Sequence, residues 1–254
     1  MRIKFLGTGT SHGVPVLGCK CKTCTSTDPK NKRYRTSVFV EEKNTPLVID
    51  MPAEFRLRAI EYGIARLDAV LFTHAHADHI AGLDDIRRYN EIQMSFIPVY
   101  GSAETLGEIK KRFFYIFEKT QEGGGKPKLK LEEIRPYEDF SVKDLDIMPV
   151  LARHGELDVI GYRINDFAYI TDASFIPERT FDFLKGLKML VLNALRFEPH
   201  PTHFNLEQAV DMAGKIKADM TYFTHITHIM EHNEVEKQLP DSMHLAYDGL
   251  ELQI

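Results

Sequence analysis

The segment LFTHAHADHIAG, residues 71–82, follows an apolar stretch and carries four strong ligand side chains within six positions: His74, His76, Asp78 and His79. In an extended chain, side chains two residues apart point the same way, so His74 and His76 can reach one metal ion. Asp78 and His79 lie where the chain is expected to turn into a helix near residue 80, so they can reach a second point. Imidazole and carboxylate together suit zinc, iron or manganese. The segment therefore predicts a metal site.

Three further ligand-type residues directly follow apolar segments elsewhere in the chain. They are His154 in VLARHG, Asp172 in YITDAS and His225 in TYFTHITH. Open α/β sheets place their chemistry at the ends of strands. Four strand ends that carry such residues therefore predict a single site built from distant parts of the sequence.

Short apolar segments alternate with amphipathic ones, a pattern that favours one compact α/β domain over residues 1–254. Strands are predicted at 3–6, 37–41, 46–50, 69–73, 97–100, 145–152, 159–164, 168–171, 189–193, 220–224 and 243–246. Helices are predicted at 54–62, 80–89, 103–117, 178–185, 206–216 and 231–239, with Asn205 as an N-cap. The apolar stripe of 103–117 indicates a core-facing helix or a dimer face.

Composition and charge disfavour several classes of protein. The net charge is −5, and no concentrated basic stripe is present, so the overall field disfavours nucleic acid as a partner. No apolar run reaches the roughly 18 to 20 residues that cross a bilayer. The first residues lack a secretory signal, and three cysteines confined to one short loop suit a reducing compartment. We expect a cytoplasmic protein without a membrane anchor.

The motifs HAHADH, RHG, TDAS and FTH resemble the metallo-β-lactamase fold superfamily in order and spacing. The resemblance implies an αββα sandwich, in which two mixed β-sheets flanked by helices hold two divalent metal ions (Mn, Zn or Fe) at one edge. It also implies a ligand set: His74, His76 and His154 for one metal, Asp78, His79 and His225 for the other, and Asp172 bridging both. Asp50, which ends PLVID, would orient these ligands through hydrogen bonds.

The loop GVPVLGCKCKTC is a second dense cluster, with Cys19, Cys21 and Cys24. A structural zinc ion takes four ligands, so three cysteines leave one place unfilled, and free thiols are the alternative reading. Together with THITH, this loop resembles the cyclic-phosphate phosphodiesterases of the carbon–phosphorus lyase pathway. That resemblance implies a structural zinc ion held by the three cysteines and His228, and a homodimer.

The same resemblance places His203, in EPHPTHFN, over the metals as a residue that stabilises phosphate or protonates the leaving oxygen. Because its ordinary pKa is roughly 6.5, histidine suits this role. A metal pair can also hold a bridging water as hydroxide near neutral pH. We therefore expect a metal-dependent phosphodiesterase that acts on a small, cyclic ribose-type phosphodiester, with His203 and Asp78 among its catalytic residues.

Alternatives remain open. They are a carbonyl ester, thioester or lactone hydrolase on the same metals, an RNA-processing nuclease, and a non-catalytic metal-binding protein.

The glycine-rich stretch EGGGKPK, residues 122–128, could be a loop tip or a lid, and it is too short for the tRNA-gripping arm of related endonucleases. Arg153, Arg163 and Arg196 are candidate phosphate contacts that the sequence does not distinguish. His12, in the loop SHGVP, is expected beside the site and has no assigned role. The remaining histidines are expected at the surface or in local hydrogen bonds: His200, His232 and His244.

Overall fold

The structure, a computed structural model, describes residues 1–119 and 125–254 and contains two seven-stranded β-sheets. The first sheet has the order β14-β1-β2-β3-β4-β5-β6. Its strands are β1 (Arg2–Gly7), β2 (Ser37–Glu42), β3 (Thr45–Ile49), β4 (Ala69–Leu71), β5 (Ile97–Gly101), β6 (Leu129–Glu133) and β14 (Glu251–Gln253). Strands β14 to β3 pair antiparallel, and β3 to β6 pair parallel, so the sheet is mixed.

The second sheet has the order β13-β12-β11-β10-β9-β8-β7. Its strands are β7 (Phe140–Val142), β8 (Leu145–His154), β9 (Leu157–Ile164), β10 (Phe167–Ile170), β11 (Met189–Asn193), β12 (Met220–Thr224) and β13 (Met243–Leu245). It too is half antiparallel, from β7 to β10, and half parallel, from β10 to β13.

The two sheets pack face to face through one apolar layer. Phe5 and Ile49 of the first sheet contribute to it, as do Ile147, Tyr162 and Val191 of the second, and all five side chains are buried. The interior strands β4 (AVL) and β10 (FAYI) are apolar throughout, as expected for strands that are covered on both faces. Further apolar clusters lie on the outer faces, where the helices pack. This αββα sandwich of mixed sheets confirms the predicted fold class.

The α-helices of the described residues are α1 (Phe55–Glu61), α2 (Ala77–Ile80), α3 (Ile86–Gln93), α4 (Ala103–Arg112), α5 (Phe114–Phe117), α6 (Glu178–Asp182), α7 (Leu206–Ile216) and α8 (His232–Glu236). Helix α7 has the predicted bounds and the predicted N-cap: the Asn205 side chain accepts from the Gln208 amide at 2.9 Å, and Gln208 Oε1 accepts in return from the Asn205 amide. Within residues 1–119 and 125–254, none of these helices combines the length and the apolar character that spanning a membrane requires.

Two predicted helices are interrupted. The helix predicted at 80–89 is replaced by α2, a 3-10 turn and α3, and Asp78 and His79 lie inside α2, not ahead of a helix. The break follows from Gly82, whose amide donates to the Met51 carbonyl at 2.8 Å and not to the preceding turn. The helix predicted at 103–117 breaks at Phe113, so its stripe divides: Leu106 is buried, whereas Phe117 is exposed.

The stretch EGGGKPK is only partly described. Residues 122–124 lie outside the described residues, so the prediction of a loop tip or lid stays a prediction. Residues 125–128 run without regular secondary structure into β6.

Gly82 offers a test of how closely residues 71–82, the segment with the predicted ligands His74 to His79, pack on the chain after β3. A Cβ atom on this residue would lie 2.3 Å from the Pro52 carbonyl oxygen. We expect Gly82→Ala to lower the free energy of unfolding by about 1–3 kcal/mol through overpacking, measured by denaturant unfolding. Gly107→Ala in α4 is the matched control, because its Cβ would meet nothing within 4 Å and alanine favours a helix interior by about 0.5–1 kcal/mol. Equal stability of the two variants would contradict this packing.

Candidate metal centre

The predicted ligands come from four separate strands whose ends meet at one edge of the sandwich. His74 and His76 follow β4, and His154 is the last residue of β8. Asp172 and His225 follow β10 and β12, while Asp78 and His79 lie in α2. The fold thus brings all seven predicted ligand residues together, although they are spread over 150 positions of sequence.

The first group of donors consists of His74, His76, His154 and Asp172, whose ligand atoms all lie within 4.8 Å of one another. His74 Nε2 is 2.9 Å from His76 Nδ1. His154 Nδ1 pairs with the Thr202 carbonyl oxygen at 2.7 Å, which leaves its Nε2 as the atom available to a metal. A metal-binding histidine typically has such a hydrogen bond between its other ring nitrogen and a backbone carbonyl group.

The second group consists of Asp78, His79 and His225, again with ligand atoms within 4.8 Å of one another. Asp172 lies between the two groups: its Oδ2 is 3.4 Å from His79 Nε2 and 3.7 Å from His74 Nε2. Its other oxygen is 3.1 Å from His225 Nδ1. One carboxylate is therefore within reach of both groups.

Asp50 has the position that the sequence predicted for it. It is fully buried and accepts three hydrogen bonds, from the Thr73 amide at 2.9 Å, the Thr73 hydroxyl at 2.9 Å and His79 Nδ1 at 2.7 Å. Because His79 donates its Nδ1 hydrogen to Asp50, the lone pair of the ring lies on Nε2. Asp50 thus sets both the tautomer and the orientation of His79.

His79 Nε2 provides a test of whether these residues fit a metal ion. The atom is buried without a hydrogen-bond partner, and it faces carboxylate oxygens of Asp78 at 3.5 Å and Asp172 at 3.4 Å. With a neutral ring, a lone pair on Nε2 faces two carboxylate oxygens, so three electron-rich atoms meet in a buried site, which is unfavourable. A cation at this point satisfies all three. The arrangement therefore fits a divalent metal.

The protonation of the site agrees with this reading. Burial lowers the pKa of His74 well below its ordinary value, and it lowers that of His225 to about 4, so both rings are neutral ligands. Burial also acts to lower the pKa of His79, but the Asp172, Asp50 and Asp78 carboxylates outweigh it and hold that pKa well above its ordinary value. Positive charge is thus favoured at His79.

The backbone contributes to the convergence of the donors. Three site residues one or two positions after strands have left-handed φ values: Asp50 (62°), Asp172 (58°) and His225 (59°). This conformation turns the chain sharply, and aspartate, asparagine and histidine adopt it more readily than other residues with a side chain.

A cleft of about 390 Å³ opens beside the donors. His203 lies in its wall, with its Nε2 3.5 Å from Asp172 Oδ2 and buried without a hydrogen-bond partner. Its ring stacks on His225 at 5.1 Å between centroids. The predicted proximity of His203 to the metal ligands is therefore present in the geometry. Distance alone does not separate it from them, because Asp172, His203 and His225 also form a group within 4.8 Å.

The unassigned residues divide between the cleft and other places. His12 and His200 line the cleft, and His200 also makes the expected local hydrogen bond, since its Nδ1 accepts from the Thr202 amide. His232 is buried and contacts Arg33, and His244 pairs with Glu236. The only feature of the sequence that could have indicated a place in the cleft for His200 is its position three residues before His203.

Of the three candidate arginines, only Arg196 lines the cleft, where its guanidinium donates to the carbonyl oxygens of Glu198 and Pro199. Arg153 pairs with Asp158, and Arg163 donates to backbone carbonyl groups around residues 183–185.

The cysteine loop forms a separate group of donors. Cys19, Cys21, Cys24 and His228 place one ligand atom each within 4.8 Å of one another. His228 Nδ1 is 3.4 Å from Cys19 Sγ and 3.3 Å from Cys21 Sγ. The Cys24 amide, assisted by His228, lowers the pKa of Cys21 to about 6, so this sulfur favours the thiolate that binds metal.

A network of hydrogen bonds attaches the segment that follows the cysteine loop to the C-terminal part of the chain. The Asn31 side chain donates to Glu231 at 2.6 Å and accepts from the His232 amide at 2.9 Å. Arg33 donates to the Thr8 hydroxyl and to the Ala246 carbonyl, at 2.8 and 2.6 Å. This segment is therefore anchored beside residues that closely follow His228 in the sequence.

Comparison with known proteins agrees with this geometry. The family model described as "Beta-lactamase superfamily domain" matches residues 47–226, a range that includes all seven predicted metal ligands. The chain therefore belongs to the β-lactamase superfamily, and it has the metallo-β-lactamase fold.

Particular relatives differ in their names. A crystal structure of a diphosphatase from the PhnP family is 40% identical, with a TM-score of 0.93, and the match covers 100% of this chain and 97% of that one. The octanoyltransferase of Porphyromonas gingivalis is 39% identical over 99% of this chain and 51% of its own length. Ribonuclease Z of Methanopyrus kandleri is 28% identical over 64% of this chain and 49% of its own length. The chain spans about half the length of these two curated relatives.

The Asp50 contacts generate a prediction about metal affinity. We expect Asp50→Ala to weaken metal binding about 10- to 100-fold, because His79 loses the acceptor that orients it. Competition with a chromophoric chelator measures the change. Asp50→Asn preserves the volume of the side chain, and Asp182→Ala, in an exposed ion pair with Lys185, is the control for a remote carboxylate. Unchanged affinity in both Asp50 variants would contradict the role given to this residue.

Proposed function

We propose that the chain is a metal-dependent hydrolase of a small phosphodiester. The observation that supports this most directly is the lining of the cleft. Beside the predicted ligands, it offers the cationic or hydrogen-bonding side chains of Arg196, His200 and His203, and the hydroxyls of Thr10, Ser11, Thr202 and Thr227. Leu195 is its one aliphatic side chain. Such a lining suits an anionic, oxygen-rich substrate.

The names of the relatives suggest which type of bond this protein cleaves. The structure that is 40% identical over the whole chain is named a diphosphatase, which suggests hydrolysis at phosphorus for this chain as well. A cyclic ribose phosphate and a diester of diphosphate both present phosphorus with two bridging oxygens and a negative charge. We propose the cyclic ribose-type phosphodiester as the first substrate class and the diphosphate diester as the second.

The proposed ligand allocation follows the two groups of donors. His74, His76 and His154 would hold one divalent ion, Asp78, His79 and His225 would hold the other, and Asp172 would contact both. When bound, such a pair supplies Lewis acidity and a water molecule with a lowered pKa. Manganese, zinc and iron all tolerate these ligands. The cysteine cluster with His228 would hold a structural zinc ion.

The residues of the chain then divide the remaining tasks. Asp50 keeps the Nε2 lone pair of His79 directed at the metal position. His203 directs Nε2 toward Asp172 and the cleft, so it can hold a proton for the departing ester oxygen. Arg196 adds positive charge at the wall of the cleft, where a phosphate oxygen would lie.

The octanoyltransferase relative supports a second candidate, the hydrolysis of an octanoyl ester or thioester on the same metals. The cleft argues against it. An eight-carbon chain gains its affinity from apolar contacts, and the lining offers only Leu195 for them. An octanoyl thioester nevertheless belongs in the substrate panel, as does a structured RNA, because of the ribonuclease Z relative.

The first test is the hydrolysis of a generic aryl phosphodiester by manganese-loaded protein. We expect His203→Ala to lower the rate about 100-fold or more, because the variant loses the group that protonates the leaving oxygen. His244→Ala is the matched control, since His244 pairs with Glu236 away from the cleft. An inactive wild type in metal-loaded protein, together with cleavage of the octanoyl thioester, would overturn the proposal in favour of the second candidate.

The proposed structural zinc ion gives a separate prediction. We expect Cys21→Ser to lose one zinc ion per chain and to melt at a lower temperature, because the cluster loses one of its four ligands and structural zinc contributes directly to folding. Elemental analysis and thermal unfolding measure the two effects. Lys22→Ala, an exposed neighbour in the same loop, is the control. Equal zinc content in the two variants would refute the assignment.

A further inference from the structure

His200 makes a contact that ligand placement does not require. Its Nδ1 lies 3.3 Å from His203 Nδ1, and the two rings meet nearly edge to face, 5.0 Å apart at an angle of 65°. Both residues line the cleft. Thr202 joins them, because its hydroxyl is 3.0 Å from His203 Nδ1 and 3.2 Å from His200 Nδ1.

The hydrogen atoms of this group can be assigned from its donors. The Thr202 amide donates to His200 Nδ1 at 3.3 Å, and a backbone amide is always a donor, so His200 Nδ1 carries a lone pair. If His203 Nδ1 also lacked a hydrogen, two lone pairs would face each other at 3.3 Å. The arrangement is favourable when His203 carries a hydrogen on Nδ1, with His200 Nδ1 and the Thr202 hydroxyl as acceptors.

This tautomer matters for the opposite side of the ring. With a hydrogen on Nδ1 bonded to His200 and Thr202, the ring is held so that Nε2 is the atom directed at the cleft, 3.5 Å from Asp172 Oδ2.

We propose that His200 is a positioning residue that fixes the tautomer and the ring orientation of His203. The inference rests on the proposed function, in which Nε2 of His203 serves the leaving oxygen. His200 itself contacts neither the predicted metal ligands nor the reacting atoms, and it acts through His203.

Two substitutions separate this role from simple packing. His200→Asn places an acceptor oxygen where Nδ1 stood, whereas His200→Ala removes the acceptor. We expect His200→Ala to lower kcat for the aryl phosphodiester about 10-fold with KM nearly unchanged, an effect below the full contribution of a general acid. We expect His200→Asn to restore most of the lost rate. In a His203→Ala background, His200→Ala should have no further effect.

A second readout does not depend on activity. Long-range ¹H–¹⁵N spectra of zinc-loaded protein, recorded at about pH 8.5, well above the ordinary histidine pKa of about 6.5, report which nitrogen of His203 is protonated. We expect protonated Nδ1 in wild type and in His200→Asn, and a shift toward protonated Nε2 in His200→Ala. Identical His203 spectra in wild type and His200→Ala would overturn the inference. A wild type without phosphodiesterase activity would overturn the proposed function, and the spectra would still decide the role of His200.

Discussion

A single buried hydrogen bond, from His79 Nδ1 to Asp50 Oδ2 at 2.7 Å, connects the fold of this chain to its chemistry. Asp50 directly follows the strand β3 and binds Thr73 after β4, so it also joins two neighbouring strands at the edge where the donors meet. Because the bond fixes a hydrogen on Nδ1, the opposite nitrogen of His79 faces the Asp78 and Asp172 carboxylates, where a metal ion or a second proton must supply positive charge. The demand for a cation is thus built into the hydrogen-bonding pattern.

Most of the sandwich could be predicted from periodicity. All eleven predicted strands are present, with ends shifted by no more than two residues, because buried strands in a layered core are apolar over their whole length. The strands β6, β7 and β14 were missed, since they are short edge strands with partly exposed residues, several of them charged in β6 and β14. The interruption at Gly82 could not be predicted either, because it depends on a hydrogen bond to Met51, which is distant in sequence.

The candidate site could be predicted in its ligand types but not in its geometry. Histidine and aspartate at four strand ends indicated a shared edge, and the structure places them there. His200 was missed because its significance depends on the turn that directs its Nδ1 toward His203 and Thr202. A pattern of residue types carries no information about tautomers, which arise from the donors around each ring.

The left-handed backbone at Asp50, Asp172 and His225 limits how this site can change during evolution. Each position has a conformation that costs most residues about 1–2 kcal/mol, whereas glycine, asparagine, aspartate and histidine tolerate it best. A homologue that no longer binds metals could therefore carry asparagine or glycine at these positions with little loss of stability. Valine or isoleucine would instead destabilise the ends of the strands. The left-handed turns would then remain after the metals and the activity were lost, and their positions would mark a former metal site.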